Sequence, residues 1–272
     1  MNLPPEYRLI RVVSPGPMTT VALVRDAEGT TRIAKCAAIE RAARTIAHEA
    51  NVLRVLAKAG VTGVPRLVAE WGASPGETPG IAMGWLALST LGEQGEAMRA
   101  SSAFREGAVH AAFERLDAVH GAGVVHGDVS PANVFLADDG SRAAIADFGL
   151  AQVVAGAHGD DASSTDDGAF RGTLLYVAPE VARGEAFDAR ADDFAMAASL
   201  LHVATGVPLR ALETPDASPA SVLVNAGSRP LDASHPWRAT AFALFPRTMA
   251  DTLFRCLAFD PRDRPREADR AW

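Results

Sequence analysis

Two short stretches carry the residues best suited to chemistry. The first is HGDVSPANVF, residues 126–135, and the second is ADFG, residues 146–149. They set Asp128 and Asn133 five residues apart on a tight loop, with a further carboxylate, Asp147, 14 residues beyond Asn133. Asn133 and Asp147 are oxygen donors of the kind that suits Mg2+, an ion that takes few protein ligands and completes its shell with phosphate and water. Asp128 can then accept a proton from a hydroxyl nucleophile. These are the groups phosphoryl transfer needs, a reaction in which the protein mainly positions reactants and neutralises charge. Lysine usage sharpens the pattern. Of 26 basic residues only Lys35 and Lys58 are lysine, so a lysine standing where chemistry needs one is informative.

The elements that must position these groups change character along the chain. Residues 7–13 (YRLIRVV), 20–25 (TVALVR) and 31–37 (TRIAKCA) are rich in Val, Ile and Thr and are separated by SPGPM and DAEG, which predicts strands joined by turns. From 39 to 59 the pattern turns helical, with Ile46, Val52, Leu53, Val55 and Leu56 grouped on one face, and the Gly- and Pro-bearing stretch 60–65 ends it. Apolar runs at 67–71 and 81–86 flank a flexible GASPGETPG. A helix over 103–120 then leads into the catalytic-type loop, and further helices are expected at 192–205 and 248–257. Residues 208–236 have weak periodicity and yield no element. Residues 156–168 (GAHGDDASSTDDG) are acidic and polar and read as a loop.

Composition bounds the class. With 272 residues, 48% hydrophobic and 22% charged, the chain is one large domain or two closely packed lobes, which excludes disorder and collagen-like repeats. A net charge of −7 argues against a nucleic-acid partner, since nothing would neutralise many phosphates. Cys36 and Cys256 lie 220 residues apart, too sparse for a disulfide framework, and fit a reducing compartment. The N-terminal MNLPPEYRLI lacks a signal-peptide pattern, and the 16-residue apolar run 194–209, which contains His202 and Pro208, is too short to span a bilayer. The expectation is a cytoplasmic chain without a membrane segment.

In their order and spacing, these stretches resemble a protein kinase domain over nearly the whole chain, of the eukaryotic-like bacterial Ser/Thr type with HGD in its catalytic loop. The resemblance implies that Asp128 is the catalytic-loop base, Asn133 a Mg2+ ligand and Asp147 the metal-binding Asp of DFG. Lys35, in RIAK, matches the lysine that holds the α- and β-phosphates of ATP, and Glu49, in HEANVL, its helix partner. GTLLYVAPE (172–180) is similar to the end of an activation segment, in which Thr173 lies near Asp128 and helps define a site for a Ser/Thr substrate. Asp192 opens a helix of matching pattern, and DPRDRP (260–265) resembles the box whose arginine, here Arg264, pairs with Glu180. The implied architecture is α+β and bilobal. Residues 1–86 would form a small antiparallel sheet with one helix, and 87–272 a larger, mainly helical lobe. ATP would lie in the cleft, with adenine near residues 84–87, Met83 as gatekeeper, and Val21, Ala34, Leu86 and Phe135 around the base. The partner would be a protein with a Ser/Thr acceptor; from loop polarity alone Ser163, Ser164 and Thr165 are candidate acceptors for autophosphorylation, beside the plainer reading that a polar loop simply contains such residues.

The pattern also departs from that family. SPGPMTTV (14–21) keeps only Gly16 of the phosphate-loop glycines, and Thr19 stands where another would be. Gly127 replaces the arginine before Asp128, and Ser130 stands where Ser/Thr kinases carry a lysine. HGD followed by Ser resembles RIO-type and aminoglycoside phosphotransferase-type kinases, so a small-molecule kinase stays open as an alternative. So does a nucleotide-binding pseudokinase. His126 is expected to serve structure rather than proton transfer.

Overall fold

Alternating β-branched residues and tight turns at the N-terminus produce a five-stranded antiparallel sheet in the computed structural model, which describes residues 3–72, 78–154, 174–207, 209, 218–228 and 236–272. The strands are β1 (Arg8–Pro15), β2 (Thr19–Arg25), β3 (Thr31–Ala37), β4 (Leu67–Trp71) and β5 (Gly80–Gly84), arranged β1-β2-β3-β5-β4. The DAEG turn between β2 and β3 is closed by the Asp26 carboxylate, which accepts from the Thr30 N–H at 2.7 Å. In the resulting register Lys35 stands opposite Val21 on one side and Ile81 on the other, while Ala34 faces Ala22 and Ala82. A small core of Tyr7, Ala22, Val24, Ala34 and Ala82, with Trp71 against it, supports the sheet.

Helix α1 (Ala42–Lys58) packs on this sheet through Ala42, Ile46, Glu49, Ala50, Val52, Leu53 and Leu56, an apolar stripe at helical spacing interrupted by one carboxylate. It starts three residues later than the sequence pattern predicts. The preceding residues form a turn instead, in which the Ala38 N–H donates to the Met18 carbonyl and the Ala42 N–H to the Ile39 carbonyl. Its end is set by Gly60, whose φ of +74° allows the Val61 N–H to close back onto the Leu56 carbonyl at 3.0 Å. Residues 1–87 form one compact unit together with 147–151.

The second unit, 88–146 with 152–272, is mainly helical. Strand β6 (Ser89–Thr90) pairs with β8 (Val134–Leu136), which pairs with β9 (Ala143–Ile145), and β7 (Val124–Val125) pairs with β10 (Gln152–Val153). Between them run α2 (Gly95–Ala100) and α3 (Ser102–Gly121), the latter capped by Ser101, whose Oγ accepts from the Phe104 N–H. After the short α4 (Pro179–Ala182), α5 (Ala189–Thr205) is buried at every position from 191 to 201 and forms the axis of the unit. Its start precedes the sequence expectation because Asp188 caps it, accepting from the Arg190 N–H. Helices α6 (Pro219–Ser228), α7 (Pro236–Leu244) and α8 (Arg247–Cys256) complete it, α6 within the stretch where the sequence pattern gave no element. No helix among the described residues is long and apolar enough to cross a membrane.

Candidate active site

In the sheet unit, Lys35 gathers two acids. Its Nζ donates to Glu49 Oε2 at 2.7 Å and to Asp147 Oδ1 at 2.6 Å. Register explains the first contact: β3 carries Lys35 on the face covered by α1, where Glu49 breaks the apolar stripe. The Lys35 and Glu49 side chains are only 6% and 1% exposed, whereas Asp147 is 47% exposed. Burial works against the Lys35 ammonium, but the Glu49 and Asp147 carboxylates outweigh it and hold the amine above its ordinary value. Burial also pushes the Glu49 carboxyl up, and Lys35 offsets this only in part. The two directions oppose each other; two short contacts from one nitrogen favour the charged pair.

Asp147 has φ +66°, the left-handed region that non-glycine residues seldom occupy, and is the sole such residue among those described. Aspartate tolerates that conformation better than most side chains, and strain of this kind persists where surrounding contacts hold it. Phe148 beside it is fully buried. The remaining nucleotide candidates of this unit lie on the sheet. Gly16 sits in the β1–β2 turn, where an added Cβ would come within 2.8 Å of the Thr19 carbonyl oxygen, so a side chain there would force the turn apart. Val21 is half-buried on β2, Ala34 and Met83 are buried on β3 and β5, and Leu86 is half-buried just after β5.

The helical unit builds a second cluster around Asp128. Asn133 Nδ2 donates to the Asp128 carbonyl at 2.8 Å and to its Oδ2 at 3.2 Å, so the five-residue spacing folds the amide back onto the acid. With its nitrogen so used, the amide oxygen of Asn133 is the end left for a cation. The loop is fixed from below by Asp192 on α5, which is 2% exposed and accepts from the backbone N–H groups of His126 (2.7 Å) and Gly127 (2.8 Å). The His120 ring completes this set at 2.8 Å. Burial would raise the Asp192 carboxyl, but the His120 bond and charge and the N–H donors more than compensate, holding it below its ordinary range. His126 is itself buried and its Nε2 donates to the Ala146 carbonyl at 3.0 Å, consistent with a structural part. Gly127 has φ +76°, so glycine fits here with less strain than an arginine would carry. Phe135 lies half-buried on β8.

Next to Asp128 lies a pocket whose walls include Val129, Tyr176, Val177, Val181 and Phe187. Tyr176 is fixed there by its hydroxyl, which shares a hydrogen bond of 2.5 Å with His202 Nδ1. Burial pushes that phenol up to about 12 and pulls the imidazole down. Glu180 and Arg264, paired from sequence, meet in a two-pronged contact of 2.6 and 2.7 Å. Thr173, Ser163, Ser164 and Thr165 lie outside the described residues.

The structure thus brings Lys35, Glu49 and Asp147 together in one unit and Asp128 and Asn133 in the other. Sequence reasoning missed a third group. Asp117, His120 and Asp193 place ligand-type atoms within 4.8 Å of one another, but Arg270 already donates to both acids at 2.6 Å, so a guanidinium neutralises the cluster. Residues of α3, α5 and the C-terminal stretch meet there, and no local spacing announces it.

Comparison with known proteins places the chain in a family. Residues 88–270 match the model of the protein kinase domain, a span that holds Asp128, Asn133, Asp147, Glu180 and Arg264. The serine/threonine-protein kinase PknJ of Mycobacterium tuberculosis is 30% identical over 210 residues, 74% of this chain and 34% of that protein. PknF of the same species is 37% identical over 161 residues, 57% of this chain and 31% of that protein, and PknB of Mycobacterium leprae is 36% identical over 97 residues. The match to PknJ covers 34% of that relative's own length. With Asp128, Asn133, Asp147 and the buried Glu180–Arg264 pair all inside a matched span that covers more than half of the sequence, the chain belongs to the protein kinase domain family.

Proposed function

We propose that this chain transfers the γ-phosphoryl group of ATP to Ser/Thr hydroxyls of proteins, with Mg2+ as the metal. The observation that carries the reading is Lys35, one of two lysines in the chain, held between a buried glutamate and a half-exposed aspartate. So fixed, its ammonium suits the α- and β-phosphates. Val21, Ala34, Met83 and Leu86 supply apolar surface for adenine, and Gly16 a backbone approach to phosphate oxygens. Asp147 and Asn133 fit Mg2+: one offers an accessible carboxylate, the other an amide whose nitrogen is already committed to Asp128. Such an ion, when bound, draws charge from the phosphate oxygens. Asp128 orients the acceptor hydroxyl and takes its proton as the new O–P bond forms; the bond from Pγ to the bridging oxygen breaks and ADP leaves. The names of the relatives support a protein acceptor over a small molecule. Ser163, Ser164 and Thr165 are candidate acceptors within the chain itself.

The test is transfer of labelled γ-phosphate from ATP with Mg2+, by the chain alone and with generic protein acceptors, beside Asp128→Asn. Label on protein Ser or Thr that vanishes in the variant is expected. Nucleotide binding with no label on any protein would overturn the reading and point to a small-molecule acceptor.

A further inference from the structure

The five residues 147–151 belong to the same compact unit as α1 and the sheet, and three α1 side chains take hold of them. Thr45, His48 and Glu49 stand at i, i+3 and i+4, and therefore on one face of the helix. Glu49 holds the start of the segment: besides Lys35, its carboxylate accepts from the Phe148 backbone N–H. Thr45 lies over the middle, where a Cβ on Gly149 would come within 3.0 Å of the Thr45 methyl. His48 takes the far end. Its Nε2 lies 2.6 Å from the Ala151 carbonyl oxygen, and since that oxygen can only accept, the ring nitrogen carries the proton. Ala151 is 1% exposed, so its carbonyl would be costly to leave without a donor.

We propose that His48 is a positioning residue for the reaction, holding the far end of segment 147–151 on α1 and so fixing Asp147 beside Lys35. The geometry argues for this beyond general packing. Asp147 sits in a left-handed conformation that must be imposed from outside. Its N-terminal side is tied by the Lys35–Glu49 cluster, and the Ala151 N–H turns back onto the Phe148 carbonyl at 3.2 Å. Releasing Ala151 from His48 therefore frees the turn that carries Asp147. The proposal rests on the reading of Asp147 as the metal-holding residue.

Two variants of the full chain test it: His48→Leu, which keeps helix propensity and removes the donor, and His48→Gln, which can still donate. The first readout is amide hydrogen exchange of residues 148–152 in the metal-free protein, where His48→Leu should speed exchange about fivefold, the fold-change of one net hydrogen bond. The second is the Mg2+ concentration at half-saturation for binding of a fluorescent ATP analogue, expected to rise by a similar factor. His48→Gln should recover most of both. Wild-type exchange in His48→Leu overturns the proposal, as does loss in both variants alike, because packing rather than donation would then be at work. Faster exchange with an unchanged Mg2+ midpoint also overturns it. Asp147→Asn separates the two readings: if that variant leaves the Mg2+ midpoint unmoved, it is the metal assignment that fails, while the exchange result still decides the clamp.

Discussion

The Glu180–Arg264 pair offers a quantitative check on how the helical unit is held. Arg264 is fully buried and Glu180 is 3% exposed. The guanidinium also donates to the carbonyls of Ala258 and Arg190, each at 2.9 Å, and stacks over Phe194 at 5.0 Å. Glu180→Leu strands a buried guanidinium and should cost about 4 kcal/mol, the middle of the range for breaking a buried pair. Arg264→Met strands a carboxylate and takes the donor from the Ala258 carbonyl as well, about 5 kcal/mol in total, while the Arg190 carbonyl lies inside α5 and keeps its place in the helix ladder. Replacing both at once removes the charges together, which is close to neutral for a buried pair, so only the Ala258 carbonyl remains without its donor, at about 1 kcal/mol. The double variant should therefore be more stable than either single one. Equilibrium urea unfolding followed by tryptophan fluorescence measures all four corners of the cycle. Additive losses would refute the reasoning, because they would mean the contact contributes packing and no charge coupling. Pocket-wall residues Val177 and Ala178 directly precede α4, which carries Glu180. The proposed transfer to protein should therefore fall with stability in the single variants.

Two further outcomes follow from buried polar groups. Burial raises the Asp193 carboxyl from 3.8 to about 6, with Arg270 and His120 only partly offsetting it, and its side chain is 3% exposed. An acid whose folded pKa is raised binds its proton more tightly when folded, so its contribution is present at low pH and is lost as pH rises from about 4 to about 6, a loss of about 3 kcal/mol. Asp193→Asn cannot titrate; its stability relative to wild type should improve by about that amount between pH 4 and pH 7.5 in urea unfolding, and a constant gap would contradict this. Ser130 Oγ is buried without a hydrogen-bond partner among the described residues. Ser130→Ala should thus raise stability by about 1 kcal/mol, read as a higher melting temperature, and a fall instead would show that the hydroxyl has a partner.

Much of this was readable where the signal is local. The catalytic stretch announces itself because Asp128 and Asn133 are five residues apart and fold onto each other. Helix α1 was legible from its stripe, and Glu49 stands out as the one charged residue within it. Its first turn was not, because the Ala38 bond to Met18 that replaces it depends on where β2 begins. Helix α5 lacks amphipathic contrast for the opposite reason: it is buried on all sides, so periodicity cannot show its start, and only the Asp188 cap does. Arg270 pairs with residues 77 and 153 positions away, and no pattern spans such a distance. His48 was invisible too. Its partner is a backbone carbonyl 103 residues on, and a carbonyl has no sequence signature.

The residues that depart from the family pattern share one consequence. Gly127 and Ser130 each stand where a cation was expected, and residues 127–133 contain no lysine or arginine at all. The Asp128 loop is instead held by an anion from beneath, since Asp192 takes its two N–H groups. On the proposed reading, the positive charge assigned to the phosphates is that of Lys35, which already shares its ammonium between two carboxylates, and of the metal. Electrostatic stabilisation of phosphoryl transfer scales with the charge placed at the equatorial oxygens. On that reading, a catalytic loop without its own lysine or arginine leans harder on the ion, and on whatever keeps Asp147 in place. That is why the clamp on segment 147–151 matters more here than it would beside a catalytic loop carrying its own arginine and lysine.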